Sequence, residues 1–277
     1  MLVSCAEPRI RKAFAALYRG YPTGEGGEPD VSIEIRPDGR DPVWRRRYRI
    51  LADGEPFGPP RPRGHVLPFL EWAINWRILS ARPEFVQLHA AALVRDGRGL
   101  LLAGTSGVGK STLSVTLLAR GWRFLTDELA LLEPESDRVH PCPKAVCLRA
   151  PMFQRIAALG LRLAGRRYHV KGVKGRVGYI NPLDVSPDAL APVSPIRCVL
   201  FPRYVPGTEP RLEPLSVSRA VLALTRCALN AGRFSDGGVK TFRRLLDAAP
   251  CFELISGDLA RTCDLLDTLM GEVHAVV

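Results

Sequence analysis

No stretch of the 277 residues approaches the run of eighteen or so apolar side chains that a membrane-spanning helix needs. The first fifteen residues carry charges where a secretory signal carries its apolar stretch. Leu2-Val3-Ser4-Cys5 resembles the end of a lipoprotein signal, but no hydrophobic region precedes it. Seven cysteines, an odd number, are scattered without a Cys-x-x-Cys pair or a histidine at metal-ligand spacing. That pattern speaks against a disulfide framework or a structural zinc site and predicts a reduced, cytoplasmic setting. Cys142 and Cys147 fall close together and read as strand-packing thiols. Neither an internal repeat nor a low-complexity tract is present. Lysine is scarce, with six residues against 33 arginines.

What is present suits a folded chain, with 46% hydrophobic and 24% charged residues and a length sufficient for one large domain or two. A formal net charge of +11 is spread along the sequence. Its only tight run is Arg45-Arg46-Arg47 with Arg49, inside Val43 to Ile50. An alternating strand with one solvated basic face accounts for that run, with an acidic protein or peptide partner and nucleic acid as the alternatives.

Gly104-Thr105-Ser106-Gly107-Val108-Gly109-Lys110-Ser111 fits the phosphate-binding P-loop. A random chain of this composition would contain the four fixed positions roughly 0.004 times. Glycine lets the backbone wrap an anion so that successive N–H groups point at phosphate oxygens. Lys110 would reach the β- and γ-phosphates, Ser111 would ligate Mg²⁺, and Thr112 continues the helical end of the cradle. The flanks agree. Gly99 to Ala103 reads as a strand, Ser111 to Arg120 repeats apolar residues at helical spacing, and Gly121 stops it. Phe85 to Val94 alternates as a strand that Asp96-Gly97-Arg98-Gly99 turns back into the P-loop strand.

Elsewhere, Ile10 to Tyr18, Leu67 to Ser80, residues 151 to 163, Ser218 to Ala231, Val239 to Ala248 and Asp258 to Val273 read as helices, the last capped by Asp258. Strands are expected at Val31 to Ile35, Trp44 to Leu51, Trp122 to Thr126, Leu129 to Glu133, Arg138 to Pro143, Cys198 to Phe201 and Phe252 to Ile255, with a turn at Asp53-Gly54. Trp72 and Trp76 are expected in the core or in helix packing rather than as a base-stacking platform. The Pro-rich segment Pro56 to Pro62 reads as a linker or an exposed connection and marks a soft boundary. Residues 1–64 form a small α+β region before a P-loop domain at 65–277.

Three further places hold candidate chemistry. Asp127 and Glu128 follow the strand after the P-loop helix, where a crossover would bring carboxylates beside the phosphates as metal ligands or as a base for an attacking hydroxyl. His89 lies on the strand antiparallel to the P-loop strand. The glycine-rich loop from Gly165 to Gly178 concentrates cations, of which Lys174 and Arg176 could meet a phosphate or an anionic acceptor. A phosphotransferase, a nucleotide-binding sensor and a small-molecule hydroxyl kinase are all compatible with these residues.

Leu88-His89, the P-loop, and Arg120-Gly121-Trp122-Arg123-Phe124-Leu125-Thr126-Asp127-Glu128 together resemble the catalytic core of HPr kinase/phosphorylase. Leu70 to Trp76, Val173-Lys174-Gly175, Phe201 to Tyr204 and Leu212 to Leu215 are similar to the HPr-kinase-related proteins, so the resemblance covers roughly residues 66 to 270. It implies an α/β P-loop fold related to phosphoenolpyruvate carboxykinase, with a mixed sheet and a hairpin entering the loop. It also implies use of ATP and Mg²⁺ and transfer of the γ-phosphate to a serine of a protein or peptide. Asp127 would be the base, with His89 and Lys110 at the reacting phosphate. Neither nucleic acid nor membrane is an expected partner, and a homo-oligomer is implied. The family's second acidic position, usually Asp, is Glu128 here.

Overall fold

Alternation of buried and exposed residues starts the N-terminal sheet. The structure, a computed structural model, describes residues 1–24, 28–39, 42, 45–165 and 168–272. The expected strand residues Val43 and Trp44, the loop residues Arg166 and Arg167, and the helix end at Val273 lie outside the described residues. The chain forms two units, residues 1–82 with 147–184, and residues 83–146 with 185–277. This division differs from the expected boundary at residue 64, because the long helix after it goes with the N-terminal unit and a later segment returns to that unit.

In the first unit β1 (Leu2–Cys5) precedes α1 (Pro8–Leu17), and β2 (Ser32–Asp38) turns into β3 (Arg47–Ala52). β1 runs parallel to β2, and β2 pairs antiparallel with β3. Tyr48 and Ile50 of β3 face the core while Arg47 is exposed, and Arg49 pairs with Asp38 at 2.8 Å, as a solvated basic strand face requires. Of the two readings of the Pro-rich segment, the exposed connection holds and the linker does not. The segment's ends form β4 (Glu55–Pro56) and β5 (Arg61–Pro62), which both pair with β3. Asp53-Gly54 makes the β3–β4 turn with positive φ at both residues.

Next comes α2 (Arg63–Ala81), with Val66, Leu67, Leu70, Ala73 and Ile74 buried. Tyr18 donates to the buried Glu71 at 2.7 Å. Trp72 and Trp76 depart from expectation, since they stand 52% and 53% exposed, with Trp72 edge-on to Phe57.

The second unit opens with β6 (Val86–Leu88), β7 (Ala90–Arg95), β8 (Arg98–Ala103), α3 (Lys110–Ala119), β9 (Arg123–Thr126), β10 (Ala130–Leu132) and β11 (Arg138–His140). The chain then returns to the first unit through β12 (Val146–Arg149), α4 (Phe153–Ala158), β13 (His169–Val170), β14 (Arg176–Ile180) and α5 (Pro182–Val185), with sheet order β12-β14-β13. The expected helix at 151–163 stops early because Gly160, at φ 75°, closes the end of α4. The expected basic loop is a β13–β14 hairpin.

The chain closes in the second unit with β15 (Ser194–Tyr204), β16 (Arg211–Pro214), α6 (Val217–Cys227), α7 (Val239–Ala248), β17 (Cys251–Ser256) and α8 (Leu259–Glu272). The helix expected to reach Ala231 ends at Cys227, and Ala231 opens a separate short 3-10 turn. Asp258 caps α8 through a 2.8 Å bond from Arg261 N–H, as its sequence position predicts.

The large mixed sheet has the order β6-β10-β11-β15-β8-β7-β9, with β17 parallel to β15 and β16 paired to β17. β7 and β8 form the expected hairpin around Asp96-Gly97, and β8 runs parallel to β15. Leu101, Leu125, Val199, Leu224 and Phe242 belong to the core of this unit. The fold is α/β with a mixed sheet. All seven cysteines are free thiols, and among the described residues no helix is long and apolar enough to cross a membrane.

Candidate phosphate site

Burial of β8 fixes where the P-loop begins. Leu100 to Ala103 are fully buried, so the chain leaves the sheet only at Gly104, and Thr105 to Gly107 lie toward the surface. Gly107 and Gly109 both sit at φ 100°, a conformation that side chains oppose, and Gly109 precedes the first turn of α3 without any side-chain cap. The first-turn amides of α3 point out of the helix toward the loop, and the helix dipole adds positive potential there. This end fits a nucleotide phosphate.

Lys110 is 5% exposed, and its ammonium donates to the carbonyls of Gly104 at 2.5 Å and Thr105 at 3.0 Å. The cation is thus tied to its own loop, one reorientation from an anion lying in the cradle. Ser111 and Thr112, both partly buried, follow in the first turn.

Asp127 comes to this end through strand register. Ala92 of β7 pairs with Leu101 of β8 on one side and with Thr126 of β9 on the other. Both pairings are antiparallel, so β9 runs parallel to β8 with β7 between them. Thr126 then closes the turn that presents the acidic pair, its hydroxyl lying 2.9 Å from Leu129 O and accepting from Leu129 N–H. Ser114 Oγ stands 3.0 Å from Asp127 Oδ1 and 2.9 Å from Lys110 O. Ser114 thus shares its single proton between the Asp127 carboxylate and the Lys110 carbonyl, and the bond to the carboxylate favours its ionised form. Burial raises the Asp127 carboxyl to about 6, against hydrogen bonds from Ser111 and Ser114 and the charge of Lys110, while Glu128 pushes the same way as burial.

Glu128 lies 3.7 Å from the largely buried Lys144, which would compete with a metal for its carboxylate. Among the described residues no three His, Cys, Asp or Glu side chains gather as a metal site. A hydroxyl with one or two carboxylates nonetheless suits Mg²⁺, which keeps waters and phosphate oxygens as its other ligands.

His89 does not lie within a continuous strand. It is the break between β6, which pairs with β10, and β7, which pairs with β8 and β9. Ala90 pairs with Ala103, the residue before Gly104, so His89 sits at the P-loop end of the sheet, and its N–H donates to Cys227 O at 2.8 Å. The Cys227 thiol, raised by burial, is held back by Lys110 and by a hydrogen bond to the Gly104 main chain. Asn230 continues this clamp, accepting from Gln87 N–H at 2.9 Å and donating to Phe85 O at 2.8 Å.

Gly104 to Thr112, His89, Asp127 and Glu128 therefore belong to one unit and one end of its sheet. Lys174 and Arg176 belong to the other unit, on the β13–β14 hairpin, where Arg176 stacks 4.6 Å from the Tyr168 ring. Sequence reasoning passed over Ser114, although its place one helical turn after Lys110 was a usable signal. Cys227, Lys144 and Asn230 carry no local signal, because only the fold brings them to the loop, to Glu128 and to the strand before His89 respectively.

No family model matches the chain. It is 33% identical over 69 residues to an HPr kinase/phosphorylase of Lachnoclostridium phytofermentans, a match covering 25% of this chain and 22% of that protein. It is 32% identical over 78 residues to a putative HPr kinase/phosphorylase 2 of Oceanobacillus iheyensis, covering 28% and 25%. The matches thus span about a quarter of the length of these curated relatives. The HPr(Ser) kinase/phosphatase of Coxiella burnetii aligns with 67% of this chain and 98% of its own at 17% identity and a TM-score of 0.32. On the sequence matches, the chain is related to the HPr kinase/phosphorylase family.

Proposed function

We propose that the second unit is an ATP-dependent phosphotransferase that moves the γ-phosphate to a hydroxyl, that of a serine in a protein or peptide. The observation carrying this reading is Asp127, a carboxylate with its pKa raised to about 6 and tethered through Ser114 to the first turn of the P-loop helix. A phosphate cradle alone serves binding. A basic carboxylate beside it serves proton removal from an acceptor, being ionised at neutral pH while retaining more basicity than a solvated aspartate.

In this reading the loop amides and Lys110 hold the β- and γ-phosphates, and Lys110 exchanges its bonds to Gly104 O and Thr105 O for phosphate oxygens. Ser111, with Asp127 and Glu128, would hold Mg²⁺, which when bound supplies charge neutralisation on the phosphates. Asp127 orients the acceptor hydroxyl and takes its proton, and His89, anchored through its main chain to Cys227, assists charge handling at the same sheet end. The protein works as a soluble cytoplasmic enzyme whose acceptor is a polypeptide, and a homo-oligomer is part of the same reading. Lys174 and Arg176 are given no step.

The test is transfer of labelled phosphate from ATP to lysate fractions and candidate peptides, with mass spectrometry locating the modified residue. Asp127→Asn should abolish transfer and keep ATP binding. Full transfer by that variant removes Asp127 as the base, and ATP binding without any acceptor turns the reading to a nucleotide sensor.

A further inference from the structure

The positive charge of this chain does not belong to its phosphate site. Residues 1–82 and 147–184 hold 22 of the 39 Lys and Arg and 11 of the 28 Asp and Glu, a formal +11. The P-loop unit holds the remaining 17 of each and is formally neutral. Anion binding by the P-loop rests on oriented amides and one lysine, so the net charge of the first unit is left for a different task.

The excess is densest in the returning segment 147–184, where eight Lys and Arg face a single acid, Asp184. That carboxylate is engaged 2.7 Å from Arg19 of the same unit. Arg149, Arg155, Arg162 and Arg176 of the segment are all exposed. They stand on a scaffold closed by packing, since a Cβ at Gly178 of β14 would meet Leu163 at 2.7 Å and Phe153 of α4 at 3.1 Å.

Apolar surface accompanies the charge. Trp72, Trp76 and Tyr168 are each more than half exposed, and Val173 at the hairpin tip is fully so. Guanidinium groups already lie over two aromatic rings of this unit, Arg176 over Tyr168 and Arg61 over Phe69, the latter at 4.3 Å. The exposed Tyr168 ring has one face taken by a cation and Phe69 is buried, which disfavours base stacking on these two rings. α2, which carries Trp72 and Trp76, lies against β13 of the hairpin that carries Val173 and Arg176, and a unit exposing both cations and apolar groups matches a polypeptide that carries both carboxylates and hydrophobic residues.

We infer that the first unit is a docking module for an acidic polypeptide segment, with Arg149, Arg155, Arg162 and Arg176 as its electrostatic contacts and Trp72, Trp76 and Val173 as apolar ones. This inference stands apart from the phosphotransfer reading, because docking requires neither nucleotide nor the P-loop.

The test uses the full chain without nucleotide and three fluorescein-labelled probes of about 20 residues or nucleotides: a Glu/Leu peptide, a Ser/Leu peptide of the same pattern, and oligo-dT. The Glu/Leu peptide should bind best, and binding should weaken as salt is raised past the point where exposed charges are screened. Arg149→Glu, Arg155→Glu and Arg162→Glu combined should lower its affinity by about tenfold or more. Arg219→Glu, Arg243→Glu and Arg244→Glu in the neutral unit should leave it unchanged. Equal binding of the two peptides, equal loss from both sets of reversals, or tighter binding of oligo-dT through the same arginines overturns the inference, the last in favour of nucleic acid.

Discussion

Replacing Asp127 by Asn removes a charge that the fold holds at a cost. The carboxyl lies at about 6 against an ordinary 3.8, and its first cause is burial. At about 1.4 kcal/mol per pH unit this displacement corresponds to about 2–3 kcal/mol, the lower figure allowing for the part of the side chain that stays in water. The sign follows from proton uptake. Between roughly pH 4 and pH 6 the folded protein keeps this proton and the unfolded chain has released it, so stability falls as pH rises through that window. The cost is absent below the window and complete above it. The amide that replaces the carboxylate keeps an oxygen that accepts from Ser111 and Ser114 and carries no charge. The difference in unfolding free energy, Asp127→Asn variant minus native protein, should therefore be near zero at about pH 4 and grow to about 2–3 kcal/mol at about pH 7.5. Contributions common to the two proteins cancel in the difference. Urea unfolding in EDTA, followed by tryptophan fluorescence with Trp122 buried as the reporter, measures the difference at each pH. A difference that stays flat with pH, or narrows as pH rises, refutes the environment assigned to Asp127 and with it the argument for a tuned base.

Lys110→Ala should weaken binding of a fluorescent ATP analogue by about tenfold or more, since a charge-assisted contact to phosphate is lost; unchanged affinity would deny the loop its proposed ligand. Gly99→Ala should lower stability by about 1–3 kcal/mol, because its Cβ would meet Pro195 O at 2.8 Å and Ile196 Cδ1 at 2.6 Å where β8 runs beside β15. An unshifted urea midpoint would show that the strands separate freely there. Asn230→Ala should cost about 2–4 kcal/mol by removing its two buried hydrogen bonds, with Gln87 N–H and Phe85 O, and a calorimetric midpoint equal to the native one would refute the clamp behind His89.

Local signals carried the P-loop and its flanks. Glycines, a lysine and apolar periodicity are neighbours in sequence there, so β8, α3 and β9 were readable to within a residue or two, as were the Asp96-Gly97 hairpin and the Asp258 cap. Other features depended on distant pairing. β1 is a strand because β2 is beside it, and Arg61-Pro62 pairs with β3 although proline suggests a linker. Trp72 and Trp76 fit a helical apolar stripe, yet the buried face of α2 is taken by Leu70, Ala73 and Ile74. The strand expected across Phe85 to Val94 breaks at His89 because its two halves pair with different neighbours.

The charge pattern makes the same point with a larger consequence. Along the sequence the basic residues look evenly spread, which invites a single explanation shared with the P-loop, such as a polyanion held over the whole protein. The first unit is assembled from two segments separated by 64 residues, and grouping them separates +11 from zero. Nucleotide binding and basic charge then stop being evidence for the same ligand. A neutral phosphate unit must rely on Gly107, Gly109, Lys110 and the amides of α3, where a single altered residue matters greatly. A basic unit relies on many exposed arginines, each worth little alone and screened by salt. Point substitutions will therefore find the phosphate site readily, while the docking surface will yield only to several charge reversals made together.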